Sequence, residues 1–245
     1  MARGATKDNQ SPANQPPLLT MRLATYYTPT HEQMCRRYVL SRAWGFSSVH
    51  ATKCQQVCPS GAFKSDGWNA CMLDKLQCLL RLPADGEPTL YVDSDVILQP
   101  GLAEWCESRI RSMDFDEIAY SDDVVQWCAG VMLFRSTART QAWWRLIADL
   151  SPIWAVPDQD VIHALRMQAK HHNGVLPVPM SVLPSERVSN WATIGNRSVW
   201  SGEAFDVPEH CVAWHANWTI GVAAKEEMLR RVAQAETSSG APLAA

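Results

Sequence analysis

Residues 90–98, LYVDSDVIL, form an apolar run broken only by two carboxylates with a serine between them. In an extended backbone, residues i and i+2 project to the same side, so Asp93 and Asp95 point together. Two close carboxylates repel, and the pair is costly unless a cation or a proton lies between them. Hard oxygen ligands of this kind suit Mg²⁺ or Mn²⁺. The chemistry such a metal serves most naturally is stabilisation of a diphosphate, by bridging its oxygens and neutralising its charge. The plainer reading is a strand that ends in a solvated turn with Asp as the turn residue.

Two carboxylates can act together only if a strand delivers them to an edge where a ligand can reach them. Strand-like and helix-like patterns alternate along the chain, the signature of an α/β sheet with helices on both faces, and such sheets bind ligands at the carboxyl ends of their strands. Strands are expected at 21–27, 46–52, 89–92, 117–120, 129–134 and 211–214. Helices are expected at 31–44, 68–82, 102–113, 139–150, 158–170 and 223–235, with extended segments at 175–184. The absence of an internal repeat or interdomain linker predicts one domain over 21–236, between a disordered polar leader (1–20) and a flexible tail (237–245).

The 245 residues are 47% hydrophobic and 19% charged, which argues against disorder and for a packed core. A formal charge of −3 provides no basic field for a polyanion, so nucleic acid is not an expected partner. No apolar run is long enough to span a bilayer, and the first twenty residues lack the apolar stretch of a secretory signal. Those features predict a cytoplasmic protein without a membrane span, although a chain cut from a longer anchored protein would read the same. The eight cysteines read as thiols rather than four disulfides, and no pair of spacings matches a zinc site.

Several segments together resemble the nucleotide-diphospho-sugar transferase family, retaining glycosyltransferases of the A-type fold that include plant cell-wall α-xylosyl and arabinosyl transferases. In order, these are LATYYTPTHEQM, WNACMLDKLQCLL, YVDSDVIL, EIAYSDD, WCAGVMLFRST, PDQDVIHALR and AWHANWTIGVAAK, spread over residues 21–235. The resemblance implies a Rossmann-like mixed sheet and a metal-dependent transfer of sugar from a nucleoside diphosphate, with UDP the expected nucleotide, to a hydroxyl of a glycan or glycoprotein. It makes Asp93 and Asp95 metal ligands, with His215 as the third, and lets Asp93 and Ser94 also face the nucleotide. It makes Gly221 and Lys225 a diphosphate clamp and Asp158, Gln159 and Asp160 the group beside the reacting sugar. Thr25, Tyr26 and Thr28 would meet the nucleotide, and Lys75, Asp122, Asp123, Ala129 and Gly130 the donor. Cys128 departs from the Asn usual at its position, which bears on the donor contact there.

Each of these residues also has an ordinary structural role open to it. Asp158 opens a helix and would cap it unaided, Asp122 and Asp123 could sit in a solvated turn, and Lys75 could lie on an exposed helix face. Tryptophan is frequent, at 11 residues, and Trp191, Trp200 and Trp218 are candidates to stack on an acceptor sugar or to fill the core. Two other functions fit part of the pattern. A phosphatase of the haloacid dehalogenase type also follows an apolar strand with Asp-x-Asp, but expects it near the chain start and leaves HANWTIGVAAK unexplained. An inactive sugar-nucleotide or glycan binder would keep the site without turnover.

Overall fold

The computed structural model describes residues 20–60, 65–196 and 198–238. The expected leader, apart from Thr20, and the tail beyond Ser238 lie outside them. Two sheets organise the rest. The larger contains β1 (Arg22–Tyr27), β2 (Ser48–Lys53), β3 (Pro88–Val92), β5 (Ile118–Asp122), β6 (Trp127–Arg135) and β7 (Met180–Val182), in the order β2-β1-β3-β6-β5-β7. It is mixed: β1 runs parallel to β2 and β3, whereas β6 is antiparallel to both β3 and β5. The smaller sheet is β4 (Val96–Leu98), β9 (Ala213–His215) and β8 (Val188–Asn190). The chain crosses from one sheet to the other through Asp93, Ser94 and Asp95, so the carboxylates sit at the junction.

Strand alternation assigns the two faces of the large sheet. Leu23, Leu90, Val92, Val131 and Leu133 pack on one side with α1 (Glu32–Tyr38) and α3 (Leu102–Arg111). Ala24, Tyr26, Tyr91, Met132 and Phe134 point the other way, against α2 (Trp68–Leu80), α4 (Ala138–Trp154) and α5 (Asp158–His171). These strands are buried on both faces, which is why they read as continuous apolar runs. A third cluster joins the small sheet to α6 (Val222–Ser238) through Ile97, Trp214, Met228 and Leu229.

Several element boundaries differ from expectation: α4 runs four residues past its expected end, to Trp154, and β2, β5 and β6 are shifted by one or two residues. The helix expected over 31–44 stops at Tyr38 and continues as a separate 3-10 turn, Leu40–Arg42, with the intervening Val39 at φ −108°. β8 was not anticipated, because a three-residue strand carries too short a pattern to detect. α6 extends to Ser238, two residues into the stretch expected as tail.

Candidate active site

The strand ends and helix starts converge on a cleft of about 440 Å³. Its floor is the sheet junction. Asp93 leaves β3 with its backbone N–H bonded to the Gly130 carbonyl, and Asp95 is buried just before β4. β9 is antiparallel to β4 with His215 opposite Val96, which brings an imidazole from 120 residues downstream to the two carboxylates. His215 Nε2 lies 3.3 Å from Asp95 Oδ1 and 4.0 Å from Asp93 Oδ2.

One ligand atom from each of Asp93, Asp95 and His215 lies within 4.8 Å of the others, and among the described residues no other group of His, Cys, Asp or Glu does this. Two carboxylates and an imidazole suit a hard or borderline divalent ion. Gly130 makes the convergence possible. A Cβ there would lie 2.2 Å from His215 Cε1 and 2.9 Å from Asp93 Oδ2, closer than any real contact.

Neighbouring groups orient these ligands. The Tyr91 hydroxyl donates to Asp93 Oδ1 at 2.6 Å. With Nε2 turned to the carboxylates, His215 Nδ1 faces Cys128 Sγ at 3.6 Å, so the cysteine that departs from the family pattern sits behind the imidazole. Groups of this kind fix the ring orientation of a metal-ligating histidine. Lys225, one turn into α6, ion-pairs with Asp95 Oδ2. Burial opposes ionisation of Asp95, but Lys225 and His215 hold its carboxyl well below the usual range. Burial likewise opposes charge on His215, yet Asp95 beside it holds its pKa well above the ordinary value.

One wall comes from α5 and α2. Asp158, buried at the first position of α5, pairs with Lys75 of α2 at 2.8 Å, and Lys75 also lies 3.6 Å from Asp93. Burial pushes the Lys75 pKa down, but Asp158 and Asp93 more than compensate and hold it above its ordinary value. Lys75 is thus a buried, doubly paired cation rather than an exposed helix-face lysine. Gln159 accepts from the Ala129 backbone N–H at 3.3 Å and donates to Asp123 Oδ2 at 3.5 Å, while Gln126 donates to Asp160 at 3.4 Å. Asp123 also accepts from Asn217 Nδ2 at 3.0 Å and from the Trp218 indole N–H. The residues on either side of the cleft are thereby tied together.

Most of the residues singled out in the sequence line this cleft: Tyr26, Thr28, Lys75, Asp93, Ser94, Asp95, Asp123, Asp158, Gln159, Asp160, His215 and Lys225. Others stand behind it or beside it. Thr25 is buried against Cys35, Asp122 accepts from the Val124 N–H in its own turn, Ala129 and Gly130 support Gln159 and His215, and Gly221 precedes α6. Trp218 lines the cleft, whereas Trp191 and Trp200 are only 3% and 4% exposed and fill the third core, so the structure removes them as sugar-stacking candidates. Sequence reasoning missed His31, Trp68, Met72, Gln126 and Asn217, all of which line the cleft. Asn217 stood two residues from His215 and could have been found there; the others carry no local signal.

The mixed α/β sheet, with a carboxylate and histidine cluster at the junction of the two sheets, has the A-type glycosyltransferase fold. Solved structures with this architecture include a glycosyltransferase involved in glycosylation of the major capsid of PBCV-1, at TM-score 0.55 and 14% identity, covering 86% of this chain and 99% of that one. The galactosyltransferase LgtC, solved with donor and acceptor sugar analogues, matches at TM-score 0.51 and 13% identity, covering 87% and 95%. Residues 50–229 match the model of the nucleotide-diphospho-sugar transferase family, and the chain belongs to that family. Among curated proteins no sequence matches it significantly. Among the described residues no helix is long and apolar enough to cross a membrane.

Proposed function

We propose that residues 21–236 form a single catalytic domain that transfers a sugar from a UDP-linked donor to a hydroxyl of a glycan or glycoprotein, with retention of configuration at the transferred carbon. The observation that carries this reading is the convergence, in one cleft, of the Asp93, Asp95 and His215 cluster with the Asp158, Gln159 and Asp160 segment. Asp93, Asp95 and His215 would hold Mn²⁺ or Mg²⁺, which when bound supplies Lewis-acid stabilisation to the departing diphosphate. Lys225 and the amino end of α6 after Gly221 add positive charge and backbone N–H donors to the same phosphates. Tyr26 and Thr28, where β1 meets the cleft, would meet the nucleotide at its edge.

Asp123, fixed by Trp218, Asn217 and Gln159, offers its carboxylate to donor hydroxyls. Asp158 and Gln159, which line the same cleft, would lie beside the sugar carbon at which positive charge develops. Because Asp158 is buried and already paired with Lys75, it fits a fixed charge that stabilises the transition state better than an attacking nucleophile.

The direct test is to incubate the protein and Mn²⁺ with a panel of UDP-sugars and measure UDP release, slow hydrolysis included. Calorimetry with UDP and Mn²⁺ should show binding that Asp95→Ala abolishes. Absence of metal-dependent nucleotide binding would overturn the reading, and turnover of a simple phosphate ester without nucleotide sugar would favour a phosphatase instead.

A further inference from the structure

Four cysteines to which the proposed transferase chemistry gives no role, Cys54, Cys58, Cys71 and Cys78, sit on two facing segments, the stretch after β2 and α2. Cys71 and Cys78 are seven residues apart on α2, two turns along one face, a rise of about 10 Å. Cys54 and Cys58 lie on the segment that leaves β2, and four residues of extended chain reach at most about 13 Å. A Val57 N–H to Gln55 carbonyl bond shortens that reach. The segment runs antiparallel to the helix, so the two spacings match as rungs. Cys54 Sγ lies 3.6 Å from Cys78 Sγ, and the Cys71 thiol is in hydrogen-bond contact with Cys58.

The segment and the helix are held in this register by backbone packing as well. A Cβ on Gly67, at φ +79° just before α2, would fall 2.0 Å from the Val57 carbonyl oxygen and 3.2 Å from Cys58 Cα. Cys54 N–H is anchored to the Tyr27 carbonyl, and Gln56 accepts from the Thr30 N–H. The four sulfurs do not gather at one point: among the described residues the only cluster with metal-ligand proximity is that of Asp93, Asp95 and His215. Two pairs, not one four-sulfur site, is the arrangement present.

We propose that Cys54 with Cys78, and Cys58 with Cys71, are two disulfide-forming pairs that clip the segment after β2 onto α2. Each bridge forms by exchange with a low-molecular-weight disulfide. One protein thiolate attacks a sulfur of that disulfide and expels a thiol. The second protein thiolate then attacks the protein-bound sulfur of the mixed disulfide and expels another. Two protein thiols are oxidised, their protons pass to solvent or to the departing thiolates, and the oxidant is reduced to two thiols. Burial pushes the Cys54 thiol up to about 12 and the Cys71 thiol to about 11, so little of either is thiolate at neutral pH and the exchange runs faster as pH rises. Cys58 and Cys71 line the cleft, and α2 carries Lys75, so the bridges would stiffen the wall that holds Asp158.

The test is to equilibrate the full chain with oxidised glutathione, block remaining thiols with iodoacetamide, and map peptides without reduction. The expected result is two cross-linked species, Cys54 to Cys78 and Cys58 to Cys71, with Cys35 and Cys106 unlinked. Oxidised protein should melt roughly 5–10 °C above reduced protein. Cys54→Ser and Cys78→Ser should each remove the same part of that gain while melting like wild type when reduced. Alkylation of all four cysteines after equilibration, or linkage of Cys54 to Cys58, would overturn the proposal.

Discussion

At the scale of single residues, the site depends on buried charges that neutralise one another. Lys75 and Asp158 are both about 3% exposed, so removing one leaves the other charged and dry. Lys75→Ala should cost about 3–5 kcal/mol in chemical denaturation, whereas Lys75→Met combined with Asp158→Leu should recover most of that loss while remaining inactive. Asp123 behaves differently. Burial pushes its carboxyl above the ordinary value despite the hydrogen bonds from Trp218, Gln159 and Asn217. Its folded pKa therefore exceeds the unfolded one, so its contribution to stability is complete below the unfolded value of about 3.9 and is lost as pH rises through the folded value. Asp123→Asn removes that loss, and the Tm of the variant relative to wild type should rise from about pH 3.9 upward and then level off. A flat difference across that window would refute the assignment. The Asp93 and Asp95 pair was legible because i and i+2 share a side in extended chain. The Asp123 contact with Trp218 was not, because 95 residues separate the partners.

At the scale of elements, most strands and helices were legible because burial imposes a period. Tyr91 and its neighbours Leu90 and Val92 face opposite layers, as two-sided burial of a central strand requires. What local pattern could not supply was the end of each element. The helix begun at α1 breaks near Val39, and β8 exists because Val188–Asn190 pairs with β9. α4 is the best-defined start: Thr137 accepts from the Thr140 N–H while the Thr140 hydroxyl accepts from the Thr137 N–H, a reciprocal cap. Thr137→Ala should cost about 1 kcal/mol, seen as a Tm fall of about 2–4 °C by calorimetry, with nucleotide binding unchanged because the cap lies outside the cleft.

At the scale of the molecule, the net charge of −3 conceals an uneven distribution. Residues 91–123 hold nine acids against two arginines, and three of those acids, Asp93, Asp95 and Asp123, line the cleft, the first two beside Lys75 and Lys225 respectively. Such a cleft gains most when a cation and a diphosphate enter together. Mn²⁺ with UDP at 100 times the dissociation constant should stabilise the fold by about 2.7 kcal/mol, read as a Tm rise that chelation reverses. UDP alone should give a smaller shift, and an equal shift without metal would contradict the role given to Asp93, Asp95 and His215.

The sequence by itself determined the α/β class, the carboxylate pair and the order of the segments that make the chain a member of its family, because period, spacing and motif are local properties of the chain. Only the tertiary structure decided that Lys75 is buried between Asp93 and Asp158, that Cys128 stands behind His215, and that Trp191 and Trp200 belong to the core while Trp218 faces the cleft. Those placements follow from which distant strands pair, β9 with β4 above all. Burial and charge at a site are set by neighbours in space, and neighbours in sequence do not reveal them.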